Sequence, residues 1–181
     1  MKPAKRCKNI TPFIVMEILE KIHQMEAAGI DVVHMEIGEP DFNVPECVNQ
    51  ACIDAFRQNR THYTHSLGDI RLREAISDYH KNIYGTDIDP EHILITSGTS
   101  PAMLLLFSVL LNPGDEVIIS DPHYACYANY ISYVQAVPVK VPIYENEGFI
   151  FTPESISKKI TPATKAIFIN SPANPTGIVI H

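Results

Sequence analysis

From residue 93 onward, short strand-like runs alternate with helical stretches, and this alternation limits the chain to a narrow set of folds. Ile93-Leu94-Ile95 reads as a strand covered on both faces, Val117-Ile118-Ile119 as a second buried strand, and Val137 to Ile143 and Lys165 to Asn170 as a third and a fourth strand. Between them lie a helix from Ala102 to Leu111 and another from about Tyr124 to Gln135. Strand–helix–strand alternation predicts βαβ units, so the expected fold class is α/β: three layers, α/β/α, around a mostly parallel sheet. Ligands in such sheets bind beyond the carboxyl ends of the strands, where the polar Gly- and Pro-rich segments of this chain fall.

The first ninety residues are helical in character. Thr11-Pro12 reads as an N-cap and first helical position, with Ile14, Ile18, Leu19, Ile22 and Met25 at helical spacing and Gly29 as the stop. A turn-rich stretch, Gly38 to Phe42, follows the apolar run Val32 to Ile37. A helix from Pro45 places Val48, Cys52 and Phe56 on one face. A further helix from about Asp69 to Tyr84 is predicted to turn Leu72, Ile76, Tyr79 and Ile83 inward, with Gly85 closing it.

A net charge of −7 argues against nucleic acid or an anionic membrane as the main partner. The four cysteines, Cys7, Cys47, Cys52 and Cys126, form no C-x-x-C pair and no zinc-like spacing, so they read as free thiols in a reducing compartment. The basic start, Met1 to Arg6, precedes no apolar signal region, and no apolar run reaches membrane-spanning length. The expected location is cytoplasmic. His62 and His65 have no evident third ligand, and no metal site is expected.

Three segments bear chemistry. Ser97-Gly98-Thr99-Ser100-Pro101 joins a strand to an apolar helix, where unpaired N–H groups and two hydroxyls suit a phosphate. It reads equally as a strand-to-helix turn with Ser/Thr capping. Asp121-Pro122-His123-Tyr124 follows the next strand; Tyr124, Tyr127, Tyr130 and Tyr133 can all be read as covering core and surface around a helix, and Tyr124, nearest the helix start, is the best candidate to cover a flat heteroaromatic ligand. Asn174-Pro175-Thr176-Gly177 closes the last strand and presents an amide donor from a turn. Neither G-x-x-x-x-G-K-[ST] nor G-x-G-x-x-G is present, so nucleotide binding is not supported.

Taken in order, these segments, with Gly38-Glu39-Pro40-Asp41-Phe42, Tyr63-Thr64 and Gly68, Leu72-Arg73-Glu74-Ala75-Ile76 and Asn112 to Val117, resemble the class I/II aminotransferases of the fold-type-I pyridoxal-phosphate superfamily. The resemblance implies the N-terminal part of such an enzyme. Residues 1–44 would form an N-terminal helix and a segment that packs with a small domain. Residues 45–181 would begin the large cofactor-binding domain, incomplete in this chain. It implies pyridoxal 5′-phosphate as cofactor, with Thr99 and Ser100 on its phosphate, Tyr124 on its ring and Asn174 on its ring oxygen and near the substrate carboxylate. Gly38 would lie on a segment that binds substrate, and Tyr63 would reach the partner subunit's cofactor phosphate in a homodimer. The implied reaction moves an amino group from an amino acid to a 2-oxo acid. A lyase or synthase of the same fold, a non-catalytic cofactor-binding module and an unrelated phosphate-binding α/β protein remain the alternatives. The family's Schiff-base lysine falls beyond the N-P-T-G turn, outside these residues. Lys140, Lys158, Lys159 and Lys165 read as solvated surface, and the chain alone is expected to be inactive.

Overall fold

A computed structural model describes residues 2–180; Met1, the first residue of the basic start, and His181 lie outside them. The chain divides into two compact units, one of residues 1–30 with 99–181 and the other of residues 31–98. The first unit contains α1 (Ile14–Ala27), α4 (Thr99–Leu110), β1 (Glu116–Asp121), α5 (Cys126–Tyr133), β2 (Val137–Pro142), α6 (Pro153–Ser157) and β3 (Thr164–Ile167). The second contains α2 (Glu46–Arg57) and α3 (Ile70–Tyr84). No helix among the described residues is long and apolar enough to cross a membrane.

The sheet is three-stranded and parallel, in the order β2-β1-β3, with Ile118 opposite Val139 on one side and Ile167 on the other. Val117, Ile118 and Ile119 are all buried, as a strand enclosed on both faces requires. Their side chains alternate. Val117 and Ile119 join Phe107, Leu111, Ile131 and Ala136 beneath α4 and α5, while Ile118 joins Val141, Ile143 and Phe151 on the opposite face. The connection through α5 leads from β1 to β2, and the one through α6 returns past β1 to β3. Two right-handed crossovers that travel in opposite directions must lie on opposite faces, which gives the expected three layers. Each fully buried Val or Ile side chain here contributes about 1.5–3 kcal/mol of transfer free energy.

Several boundaries differ from expectation, each for a local reason. Helix α1 begins at Ile14 and not at Pro12, because both backbone groups of Thr11 are taken by the Asn129 side chain. Gly29 and Gly85 do stop their helices, with φ of 82° and 65°. Helix α4 starts three residues before Ala102, which brings Thr99 and Ser100 into its first turn. Pro101 is compatible with that turn, where its missing N–H has no intrahelical partner to lose. Helix α5 is shorter than expected, and Tyr124 precedes it in the loop after β1. Ile93-Leu94-Ile95 is not a strand; the Ile95 N–H donates to Leu67 O at 2.9 Å. An apolar run reports a capacity for burial, and a strand needs a ladder partner as well.

The inward face expected of α3 is corrected. Leu72, Tyr79 and Ile83 are exposed and Ile76 is half-buried. The buried residue is Arg73, only 3% exposed, whose guanidinium donates to Gly68 O, Pro90 O and the Glu91 carboxylate. In the same unit Gly68 has a φ of 101°, and a Cβ there would lie 2.6 Å from the Ile95 side chain. Both the backbone angle and the space demand glycine.

Candidate functional site

Parallel strands point the same way, so the segments after β1 and β3 leave the sheet at one end, side by side. The segment after β1 turns at Pro122, where the Ser120 hydroxyl donates to Pro122 O at 3.0 Å, and then presents His123 and Tyr124. The Tyr124 ring is half-buried between edge-on neighbours, Phe13 at 6.1 Å and Tyr127 at 5.3 Å between centroids. Tyr127 in turn lies 4.5 Å from Phe168, just past β3, so one aromatic layer joins the two strand ends. The Tyr124 phenol is pushed up to about 12, first by its hydrogen bond with Cys126, then by burial and by the neighbouring ionisable groups of Cys126, Tyr130 and Tyr127. It is therefore a neutral ring near pH 7.

Beyond β3, Asn170 Oδ1 accepts the Asn174 N–H at 2.8 Å, and Gly177 N–H donates to Ala173 O at 2.7 Å. Gly177 has a φ of 73°, which closes the turn. Asn174 itself is exposed, and its side-chain amide has no protein partner among the described residues. The Thr176 hydroxyl oxygen is buried without a hydrogen-bond partner among those residues. Such an atom in a turn marks a place where a group outside the described residues would complete the bonding.

Helix α4 supplies the third part. Its first N–H groups have no intrahelical acceptor, and the helix dipole adds positive character there. Ser100 Oγ accepts the Tyr130 hydroxyl at 2.7 Å and keeps its own proton to donate. Gly98, just before, has a φ of 92° with nothing within 4 Å of where a Cβ would sit. Backbone angle, and not space, accounts for glycine here. Free N–H groups and hydroxyl protons at a helix start suit an anionic oxygen ligand such as a phosphate.

Three of the expected positions thus belong to one unit: the Thr99/Ser100 helix start, Tyr124 and Asn174, with Tyr130 and the aromatic layer tying the parts together. Gly38 and Tyr63 belong to the other unit; both are exposed, and Tyr63 fully so. Lys158, Lys159 and Lys165 are exposed, and Lys140 lies 3.8 Å from the Asp121 carboxylate. Sequence reading missed Asn170, Thr176 and the Tyr130–Ser100 bond. A pair of asparagines four apart around a Pro-rich turn was a usable signal for the first; no local pattern marks the other two.

Beside Tyr124, His123 is mostly buried and its basicity is lowered, first by burial, then by Lys140, with Asp121 opposing both. Its Nδ1 is 3.7 Å from the Asp121 carboxylate, too far for a hydrogen bond and an ion pair only when the imidazole is protonated.

The family model described as aminotransferase class I and II matches residues 30–181. A transaminase of Methanocaldococcus jannaschii, named for (5-formylfuran-3-yl)methyl phosphate, is 42% identical over 98% of this chain and 46% of its own length. An aspartate aminotransferase of Geobacillus stearothermophilus is 41% identical over 99% of the chain and 46% of its own. Among solved structures, aspartate aminotransferase from Thermus thermophilus with maleate superposes with a TM-score of 0.94 at 35% identity, over 99% of this chain and 47% of that one. The chain spans about half the length of the curated relatives it matches.

Proposed function

The chain belongs to the aminotransferase class I and II family, and we propose that it forms part of an enzyme that moves an amino group from an amino acid to a 2-oxo acid. Members of this family use pyridoxal phosphate. The reading is carried by one observation: a helix start with free N–H and hydroxyl donors, a neutral tyrosine ring and an asparagine amide without a protein partner among the described residues all belong to one parallel sheet unit. That donor set fits the group. Its phosphate needs N–H and O–H donors, its flat ring needs an apolar face, and its ring oxygen needs a donor.

Thr99 and Ser100 bind the phosphate through backbone N–H groups and hydroxyls, and the α4 dipole adds to the attraction. Tyr124 covers the ring, and its edge-on neighbours hold it in place and keep water from that side. Asn174 donates to the ring oxygen and lies near the substrate carboxylate, on a turn that the bond from its backbone N–H to Asn170 helps to hold. When bound, the cofactor supplies an electron sink, and these residues supply orientation and electrostatics. Gly38 is assigned to substrate binding. Tyr63, an exposed phenol, is assigned to the partner subunit's cofactor phosphate, and this cross-subunit role goes with a homodimer; the location assigned to the enzyme is the cytoplasm. Residues 1–44 are assigned to a segment that packs with a small domain, and residues 45–181 to the start of the large domain. The relatives reported above are named for amino-group transfer, which favours this reaction over a lyase or synthase.

The test uses full-length Asn174→Ala and Tyr124→Ala. The first should shift the pH titration of the bound cofactor's absorbance and lower activity, and the second should speed cofactor loss on dialysis. Two variants that hold and use the cofactor as wild type does would refute the assignment.

A further inference from the structure

We propose that Tyr130 is a positioning residue for phosphate recognition: its hydroxyl fixes the Ser100 hydroxyl so that the serine proton is directed to the anion. The inference rests on the assignment of Ser100 to the cofactor phosphate.

A serine hydroxyl has one proton and two acceptor lone pairs, and it rotates to suit its neighbours. Left to itself beside water, it spends part of its time accepting, and an anion gains nothing from an accepting hydroxyl. In this chain the Tyr130 hydroxyl lies 2.7 Å from Ser100 Oγ. A phenol is the stronger acid and the weaker acceptor of the two, so the tyrosine donates and the serine accepts. That occupies a lone pair of Ser100 and leaves its proton for a second partner. Donating while accepting also polarises the serine O–H and strengthens the bond it makes.

Packing makes this arrangement rigid. The Tyr130 ring packs against the core cluster of Phe107, Leu111 and Ile131 on the α4–α5 side of the sheet. The phenol oxygen is thus held by a buried scaffold, while Ser100 is exposed on the first turn of α4. Tyr130 therefore acts through Ser100, with no contact to the ligand required. It also distinguishes Tyr130 from Tyr124, which precedes α5 and belongs to the ring-covering layer.

The experiment measures the affinity of the full-length protein for pyridoxal phosphate and for unphosphorylated pyridoxal, in wild type, Tyr130→Phe, Ser100→Ala and the double variant. The ³¹P chemical shift of the bound phosphate is a second readout. Phenylalanine keeps the ring in its packing and removes only the hydroxyl; Tyr130→Met, a flexible apolar filler, is the second variant should phenylalanine fail to fold. Tyr130→Phe should weaken pyridoxal phosphate binding by roughly three- to tenfold, leave pyridoxal binding unchanged and move the ³¹P signal. The double variant should bind no more weakly than Ser100→Ala alone, because the tyrosine has nothing left to orient. Equal losses for both ligands would reduce Tyr130 to a packing residue and overturn the proposal, as would additive losses in the double variant. Weakening by Ser100→Ala with no change in Tyr130→Phe overturns this inference and leaves the phosphate assignment standing. Wild-type affinity in Ser100→Ala overturns this inference together with the assignment of the Ser100 hydroxyl to the phosphate.

Discussion

Asn129 and Thr11 form a reciprocal clamp: the Thr11 N–H donates to Asn129 Oδ1 at 3.0 Å, and Asn129 Nδ2 donates back to Thr11 O at 2.8 Å. The pair is 118 residues apart in sequence, so one side chain on α5 ties down the segment that leads into α1. Only a primary amide offers a donor and an acceptor in this spacing. Asn129→Asp keeps the acceptor and loses the donor, and Asn129→Leu loses both. Because the bonds are partly solvated, we expect losses of about 0.5–1.5 kcal/mol for aspartate and somewhat more for leucine. Hydrogen exchange at the Thr11 amide should quicken in the leucine variant and much less in the aspartate one. Unchanged exchange in both would show that the clamp does not order the segment.

Arg73 presents a different balance, because its side chain is 3% exposed while that of its partner Glu91 is 64% exposed. The guanidinium serves mainly as a planar donor to two carbonyls, Gly68 O at 3.3 Å and Pro90 O at 2.9 Å. Arg73→Met should destabilise the protein by about 3 kcal/mol, since it strands carbonyls in a half-buried site. Glu91→Gln should cost less than about 1 kcal/mol, because a solvated carboxylate contributes little. Arg73→Lys should fall between, as an ammonium lacks the fork. Urea denaturation midpoints would order the three, and a Glu91→Gln loss equal to Arg73→Met would show the ion pair to be dominant.

That arginine marks where sequence reading reached its limit. Helical spacing correctly groups Leu72, Ile76, Tyr79 and Ile83, yet spacing identifies a shared face and not whether the chain covers it. The carbonyl that accepts from Arg73 comes from Pro90, 17 residues later, and no local pattern encodes it. The β1 strand was legible because continuous apolar character is forced when both faces are covered, and burial of Val117, Ile118 and Ile119 follows from that. The family was legible in the ordered motifs, from Gly38–Phe42 to Asn174–Gly177. The Thr11 clamp, the Tyr130–Ser100 bond and the Ile95–Leu67 bond of the apolar run Ile93-Leu94-Ile95 were not, since each depends on a partner distant in sequence.

His123 should make stability depend on pH. Its basicity is lowered from the ordinary 6.5, chiefly by burial and then by Lys140, against the opposing pull of Asp121. A base depressed in the fold binds more protons when unfolded, so stability rises with pH between the folded value and 6.5. The contribution is complete above 6.5 and is lost as pH falls through that window. His123→Gln should flatten this part of the stability curve. In NMR titrations, Lys140→Met should raise the His123 midpoint and Asp121→Asn should lower it further. Shifts of opposite sign would mean that the two charges are not the groups His123 senses.

Homodimer formation can be tested with residues of this chain alone. Tyr63 is fully exposed, at 106% of its reference area, so its ring adds nothing to the core of its own unit. If Tyr63 serves the partner subunit's phosphate site, each site combines Ser100 of one subunit with Tyr63 of the other. Tyr63→Phe and Ser100→Ala homodimers then each have two defective sites and should release cofactor faster than wild type. A hybrid of one Tyr63→Phe subunit and one Ser100→Ala subunit is different. The site on the Tyr63→Phe subunit has its own Ser100 and an intact Tyr63 from its partner, so it is whole; the other site has both defects. Co-expression with two affinity tags isolates the hybrid, and dialysis followed by cofactor assay should leave one tightly held cofactor per dimer. A tyrosine acting within its own subunit would give two singly defective sites and no tight one. A monomer that retains cofactor fully on dilution would remove the dimer from the proposal altogether.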